Sequence, residues 1–511
     1  MHEYLKYFFL FVYITASLLL MVYGVHCYLM LLLFLRKQKK CRKAINEAIK
    51  SYNHERNESD YPFVTIQLPV YNEAEVIERL IASAVRIDYP ADRFEIQVVD
   101  DSTDETSGII DKTIKQLQTS NISISASRRE GRKDFKAGGL AHAMKHAKGE
   151  FIAIFDSDFV IPENFLRRTI ALIAPEEDIA CVQGRWEHIN CHENWLTRAQ
   201  SVGINGHFAA EQGARSYNGL CMNFNGTAGV WRTSAIYAAG GWQGDTLTED
   251  LDLSYRAQLE GFRIIYDFDL ECPAEIPNNV TSLKSQQKRW AKGSMETAIK
   301  LMPRIFKSPR LSLFHKLEAF LHLTHYFVAP LMLILCSCTL PVLILAPSLE
   351  ATWLVASLWT IIIISAMAPC VMYTGSGIVL RRGWFSLSHF PAMLAVGTGL
   401  CMNNALAVIE AIRGKKSAFI RTPKSGSAGE SRSGRYALKA AMLPAYIEVV
   451  LGLYCLYTFI YYVNSGKYLF GFFIGAYSVG LLTFGLASLK HLLLRPNRVA
   501  AEDKLPIRGD K

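Results

Sequence analysis

Residues 7–35 are apolar almost throughout, and His26 is the only potentially charged side chain among them. A helix that crosses a hydrocarbon core needs about 20 such residues. The run therefore predicts a retained membrane anchor rather than a signal peptide, whose apolar stretch is shorter. Further runs predict spans near Phe320–Leu345, Thr352–Tyr373, Ala445–Val463 and Leu469–Leu489. Leu387–Ile412 is apolar enough to span, yet basic residues flank both of its ends, and it reads as an interfacial or re-entrant helix. The cluster Arg36–Lys43, the pair Arg381-Arg382 and Lys490 mark cytoplasmic ends. Five spans follow, with the N-terminus outside and the C-terminus inside.

Between the first span and the rest, the pattern changes from Tyr61 onward. Short apolar runs, Phe63–Leu68, Phe94–Val99, Ile122–Ser125 and Phe151–Phe155, alternate with segments of helical spacing at Glu73–Val85, Thr103–Leu117 and Ala137–Lys148. That alternation predicts an α/β domain with an open, mostly parallel sheet covered by helices on both faces. Ligands of such sheets bind at the carboxyl ends of the strands.

Composition changes this picture only in part. The chain of 511 residues is 50% hydrophobic and carries a formal charge of +9. The basic excess sits beside the apolar runs, which points to a lipid bilayer and not to nucleic acid. The 11 cysteines show no metal spacing, and His188, Cys191 and His192 lack a fourth ligand. Reduced cysteines fit a catalytic domain on the cytosolic side.

The polar motifs fall where the sheet should bind ligands. Asp156-Ser157-Asp158 follows the fully apolar strand Phe151–Phe155, and two carboxylates there can converge on Mg²⁺ or Mn²⁺, which prefer hard oxygen donors; a helix cap is the plainer reading. Asp100-Asp101 ends the second strand and suits a nucleotide, as do Tyr71 and Glu73 after the first. Lys136 opens a helix and suits a phosphate. Thr248-Glu249-Asp250 stands at another helix start, where acidic residues also occur for dipole reasons; Asp250 is the candidate general base. In Gln286-Gln287-Lys288-Arg289-Trp290, Arg289 can grip phosphate oxygens and Trp290 can stack on a sugar. Gln183–Trp186 and Phe224–Arg232 are rich in residues that suit carbohydrate, and the glycines of the second would let a glycan approach the backbone.

From Val64 to Trp290 this order of motifs resembles the processive glycosyltransferases of family 2. The runs Ile96–Asp104, Phe224–Arg232 with Gly240-Gly241-Trp242, and Gln286–Trp290 resemble most the cellulose synthase-like A and C branch, the (gluco)mannan and xyloglucan-backbone synthases. The resemblance implies a GT-A fold and an inverting hexosyltransferase. Such an enzyme polymerises a β-linked glucan or (gluco)mannan from a nucleotide sugar, UDP-glucose or GDP-mannose, and passes the growing polysaccharide through its own membrane helices. With the motif reading above, it assigns Tyr71, Glu73, Asp100, Asp101, Lys136, Asp156 and Arg289 to the nucleotide, Asp156 and Asp158 to the metal, and Asp250 to catalysis. Trp186, Asn225, Gly226, Thr227, Glu249, Gln286 and Trp290 fall to the acceptor. Val70 stands where many members have threonine, which weakens one nucleotide contact. Regulation through a cyclic-di-GMP domain or a zinc-binding N-terminus is not expected.

The expected organisation is an anchor and basic stop at 1–43, a cytosolic GT-A domain at 44–310, a membrane region at 311–495 and a tail at 496–511. The membrane region holds the interfacial helix 387–412 and a polar loop at 417–436, whose Arg421-Thr422-Pro423-Lys424 reads as a gate or as a linker. The expected location is a plasma or inner membrane, multi-pass, with the catalytic domain cytoplasmic. The competing reading is a non-processive membrane glycosyltransferase acting on a lipid acceptor.

Overall fold

The computed structural model describes residues 2–117, 122–345, 353–382, 385–415, 436–466 and 468–502. Helix α1 (His2–His54) enters the first strand unit of an α/β domain: β1 (Val64–Val70), α2 (Ile77–Val85), β2 (Phe94–Asp100), α3 (Thr106–Leu117), β3 (Ser123–Ser127), α4 (Phe135–Ala143), β4 (Phe151–Ile154) and α5 (Phe165–Ile173). It continues through β5 (Ile179–His188), α6 (Trp195–Asn205), a π-helical turn (Gly206–Glu211), α7 (Gln212–Tyr217), β6 (Gly229–Arg232), α8 (Thr233–Ala238), α9 (Glu249–Leu259), β7 (Arg263–Ala274) and α10 (Val280–Lys307). The remaining helices are α11 (Leu313–Leu323), α12 (Val328–Leu345), α13 (Trp353–Val379), α14 (Phe385–Ser388), α15 (Phe390–Ile412), α16 (Tyr436–Asn464) and α17 (Tyr468–Glu502).

The strands form one sheet in the order β3-β2-β1-β4-β6-β5-β7. Every pairing is parallel except those of β6, which runs antiparallel to both β4 and β5. Side chains of a strand alternate between faces, and β4 shows both faces filled. Phe151, Ala153 and Phe155 join the core under α2, α3 and α5, while Ile152 and Ile154 join the core under α4, α7, α8 and α9. Burial on both sides is why this strand reads as an unbroken apolar run. On β1 the second face is polar: Thr65 donates to Glu95 at 2.8 Å and Gln67 to Gln97 at 3.1 Å, so these buried groups are paired across the strands.

Helix α1 does not stop at the basic cluster expected to end the anchor. It runs on through Arg36–Lys43, and Ile49 and Tyr52 enter the core of the sheet while Met30 and Phe34 pack on its other face. No proline or glycine interrupts residues 25–54, so the apolar first half of α1 and the α/β domain share one rigid element. The span expected from Phe320 begins later. α11 ends at Leu323, a short 3-10 turn covers His325–Phe327, and α12 starts at Val328.

Among the described residues, six helical stretches are long and apolar enough to cross a membrane: His2–His54, His325–Leu345, Thr360–Val379, Phe390–Ile412, Met442–Asn464 and Gly471–Leu493. The protein is a multi-pass membrane protein. Large side chains such as Phe11, Val450 and Val479 stay exposed on these helices, a surface suited to acyl chains. Phe390–Ile412 meets the same length and apolarity as the five expected spans. It is also the most enclosed of the six, half of its apolar window being buried against α6, α10, α12 and α17. The polar loop at 417–436, with Arg421 to Lys424, lies outside the described residues but for Tyr436, which begins α16.

Candidate active site

Segments far apart in sequence meet in one open pocket at the carboxyl edge of the sheet. Tyr71 and Glu73 arrive from the end of β1, Asp101 from β2, and Asp156, Ser157 and Asp158 from β4. Because β6 runs antiparallel, the chain that precedes it reaches this edge. Gly229 pairs with Ile154, and Asn225 and Gly226 enter the pocket. The first turn of α9 adds Glu249 and Asp250. Gln286, Arg289 and Trp290 come from α10, where spacings of three and four place them on one face.

Lys136, in the first turn of α4, ties these pieces together. Its Nζ donates to Asp156 Oδ1 at 2.6 Å and to the Gly226 carbonyl at 2.8 Å. Thr227 Oγ1 accepts from the Asp156 backbone N–H at 2.9 Å. Gln183 holds the same loop, since its amide donates to the Thr227 and Ala228 carbonyls and its Oε1 accepts from Asn225 N–H at 3.0 Å.

Asp250 uses Oδ1 to accept from the Leu251 N–H at 2.8 Å. Its Oδ2 faces Gly226, where an added Cβ would lie only 2.8 Å away. Burial, reinforced by the neighbouring Glu249 carboxylate, pushes the Asp250 pKa up to about 7, and Lys136 and Arg289 offset this only in part. A carboxyl group poised near neutrality is suited to take a proton from a hydroxyl. α10 reaches this floor because residue 293 is glycine: a Cβ there would meet Thr248 Cγ2 at 2.5 Å.

Two residues expected to touch ligand do not line the pocket. The Asp100 side chain is fully buried, accepting from Arg128 at 2.8 Å, Ser107 at 2.7 Å and the Ser102 N–H at 3.0 Å. Burial opposes its charge, but the Arg128 and Ser107 hydrogen bonds outweigh it and hold the carboxyl below its ordinary pKa. Asp100 is thus an internal anchor for the loop after β2. Thr227 is also fully buried, beneath Asp156 rather than facing the acceptor space. Trp186 lines the pocket, but one ring face is stacked on Phe208 at 4.8 Å, so only its remaining surface is free to meet a sugar. Asp101 keeps its place at the wall and pairs with Arg129 through both oxygens, at 2.8 and 2.7 Å.

Arg129 and Arg132 were not singled out from the sequence. Arg132 lines the pocket with its guanidinium 3.2 Å from the Tyr71 ring centroid. The basic run Arg128–Lys133 lies just past β3, on the ligand-binding edge, and that position was the available signal. His207 lies on the π-helical turn, 2.9 Å from Glu211 and 3.3 Å from Asn225, with no spacing in the sequence to mark it. Among the described residues no group of three or more His, Cys, Asp or Glu is placed to hold a metal ion. Asp156 and Asp158 offer two carboxylates in one pocket, which suits a cation that completes its shell with substrate phosphates and water.

Residues 62–293 match the family described as "Glycosyltransferase like family 2". Glucomannan 4-beta-mannosyltransferase 7 of Arabidopsis thaliana is 39% identical over 288 residues, 56% of this chain and 51% of that protein. Glucomannan 4-beta-mannosyltransferase 1 of Oryza sativa subsp. japonica is 38% identical over 264 residues, 51% of each. The chain spans about half the length of these relatives. Among solved structures, mannosyltransferase PcManGT from Pyrobaculum calidifontis in complex with GDP-Man and Mn2+ is 19% identical, with a TM-score of 0.49 over 79% of this chain and 99% of that one.

Proposed function

We propose that this chain, whose residues 62–293 match the glycosyltransferase-like family 2, is a processive inverting glycosyltransferase that extends a β-linked mannan or glucomannan from a nucleotide sugar. The observation that carries the reading is the meeting of Asp250, with its raised pKa, and the Gln286-Arg289-Trp290 face in one pocket with the Lys136–Asp156 pair. The names of the plant relatives favour a mannosyl donor, and nothing comparable favours UDP-glucose.

Asp250 Oδ2 takes the proton of the acceptor hydroxyl while that oxygen attacks the anomeric carbon. The nucleoside diphosphate leaves from the opposite side, so an α-linked donor yields a β-linkage. Arg289 and Lys136 neutralise charge that grows on the departing diphosphate. Trp290 supports the acceptor ring, and Tyr71 with Asp101 holds the nucleoside end. Asp156 and Asp158 would hold Mg²⁺ or Mn²⁺, which when bound adds positive charge beside the diphosphate. The basic residues that end the spans support a cytoplasmic catalytic domain. In this reading the polymer leaves through the membrane helices, at a plasma or inner membrane. The interfacial reading of α15 draws support from its packing on α6 and α10 of the catalytic domain.

The test is a donor screen on purified protein with GDP-mannose, GDP-glucose, UDP-glucose and UDP-N-acetylglucosamine, scored by digestion and length of the product. A long β-mannosidase-sensitive polymer is expected from GDP-mannose. Short lipid-soluble products alone would replace this reading with a lipid-acceptor enzyme, and no transfer from any donor would overturn both.

A further inference from the structure

The face of α10 turned away from the pocket carries a ladder of lysines at 284, 288 and 292, one helical turn apart. Each meets a group from the membrane helices. Lys284 Nζ donates to both oxygens of Glu448 on α16, at 2.7 and 2.8 Å, and to Ser488 on α17 at 3.1 Å. Lys288 pairs with Glu410 on α15 at 3.0 Å. Lys292, itself buried, lies 4.0 Å from Glu410 and donates to the Lys415 carbonyl. Asn403 of α15 adds a hydrogen bond to the Lys284 carbonyl at 3.0 Å.

Glu448 is fully buried within Met442–Asn464, a stretch apolar enough to span a membrane. A carboxylate there is costly unless paired, and its removal leaves a buried cation behind. Its partner, Lys284, stands two residues before Gln286 on the helix that also carries Arg289 and Trp290. Sliding or rolling α10 by a fraction of a turn would break the Lys284 and Lys288 pairs together. The same movement would withdraw Gln286 and Trp290 from the pocket, because the helix moves as one body.

We infer that Lys284–Glu448, aided by Lys288–Glu410, is a positioning link between the membrane helices and the acceptor side of the catalytic pocket. The pairs set the depth and rotation of α10, and so register the acceptor end against Asp250, without touching substrate. This deepens the proposed polymerase reading and rests on it.

The experiment uses the full chain in detergent or lipid nanodiscs. Lys284→Met, Glu448→Gln, the double variant K284M/E448M and the conservative K284R are compared by nucleotide titration, donor turnover and polymer length. Each single charge removal should lower kcat at least about tenfold, as a displacement near 1 Å at a reacting centre does, and shorten the product. Nucleotide Kd should stay within about twofold of the parent. K284R should recover most of the activity. K284M/E448M leaves no unpaired charge and so tests the link if a single variant fails to fold. It should be no more active than the better single variant, because both remove one shared contact. Normal kcat and length in folded K284M/E448M would overturn the proposal. So would defects of the singles that multiply in the double, or a nucleotide affinity that falls in step with kcat. If the parent makes no polymer, the functional reading fails first; if it polymerises and the variants match it, only the positioning link fails.

Discussion

Gly226 and Asp250 are in such close register that a methyl group on the glycine would sit 2.8 Å from Oδ2 of the aspartate. The same glycine has φ of +79° and gives its carbonyl to Lys136. Gly226→Ala therefore meets two obstacles, a left-handed backbone and a carboxylate with little room to retreat. A strained backbone of this kind costs about 1–3 kcal/mol. The expected outcome is a loss of transfer of at least about tenfold with folding retained, read as turnover beside a thermal melt. An unchanged rate would show that Asp250 does not work from the side of Gly226.

The raised pKa of Asp250 fixes the sign of two pH effects. As a base it works when deprotonated, so kcat/KM of the free enzyme should climb as pH rises through about 7 and level off above it. For stability the sign is opposite. The folded-state pKa exceeds the unfolded value near 3.8, so this group's contribution is complete below about 4 and lost as pH rises through about 7. Asp250→Asn should abolish transfer, flatten that limb and melt higher than the parent at pH 8. A parent and variant with identical melting profiles from pH 5 to 8 would contradict the buried, proton-retaining carboxyl.

Asp156→Ala and Asp158→Ala should each remove transfer, as should chelation by EDTA. The two variants should differ in one respect. Asp156 also carries the 2.6 Å ion pair with Lys136, so its loss frees that lysine and loosens the Gly226 loop, whereas Asp158→Ala leaves the pair intact. Calorimetric titration with Mn²⁺ and nucleoside diphosphate separates metal-dependent from metal-independent binding. Full activity in EDTA would refute the metal assignment.

Trp290 is half-buried on the pocket side of α10. Trp290→Ala should collapse polymer synthesis while nucleotide binding stays close to the parent. Truncation of a fully buried tryptophan costs about 3–5 kcal/mol, and a half-buried one should cost less. A polymer assay run beside nucleotide titration of the folded variant decides this. Normal polymer yield would remove Trp290 from the acceptor site.

Asp100 should behave as a structural residue. Replacing it by alanine removes the hydrogen bonds from Arg128, Ser107 and the Ser102 N–H, each worth about 0.5–1.5 kcal/mol, while the exposed Arg128 keeps its bond to Asp111. A fall in melting temperature with nucleotide affinity kept is expected, whereas Asp101→Ala, at the pocket wall, should lower nucleotide affinity. Equal melting temperatures with selective loss of nucleotide affinity in Asp100→Ala would return Asp100 to the ligand.

What the sequence determined by itself was set by period and by local order. Alternating apolar runs and helical segments specified β1 to β4 and their helices, because burial on both faces of a strand forces runs such as Phe151–Phe155. Carboxylates at the ends of those strands were legible for the same reason, since parallel strands place their carboxyl ends on one edge. The motif Gln286–Trp290 was legible as a unit, and its i, i+3, i+4 spacing becomes one face in α10. Tertiary structure alone decided three things. The antiparallel course of β6 brings the segment before the strand, with Asn225 and Gly226, to the ligand edge, and strand direction has no local signature. The direction of a side chain within an adjacent pair separates Asp101 at the pocket from Asp100 in the interior, because the alternating pleat sends neighbours to opposite sides. The third is the fit of α10 between the pocket and the membrane helices. It depends on Gly293 against Thr248 and on Lys284 against Glu448, partners 164 residues apart whose contact is written in neither segment.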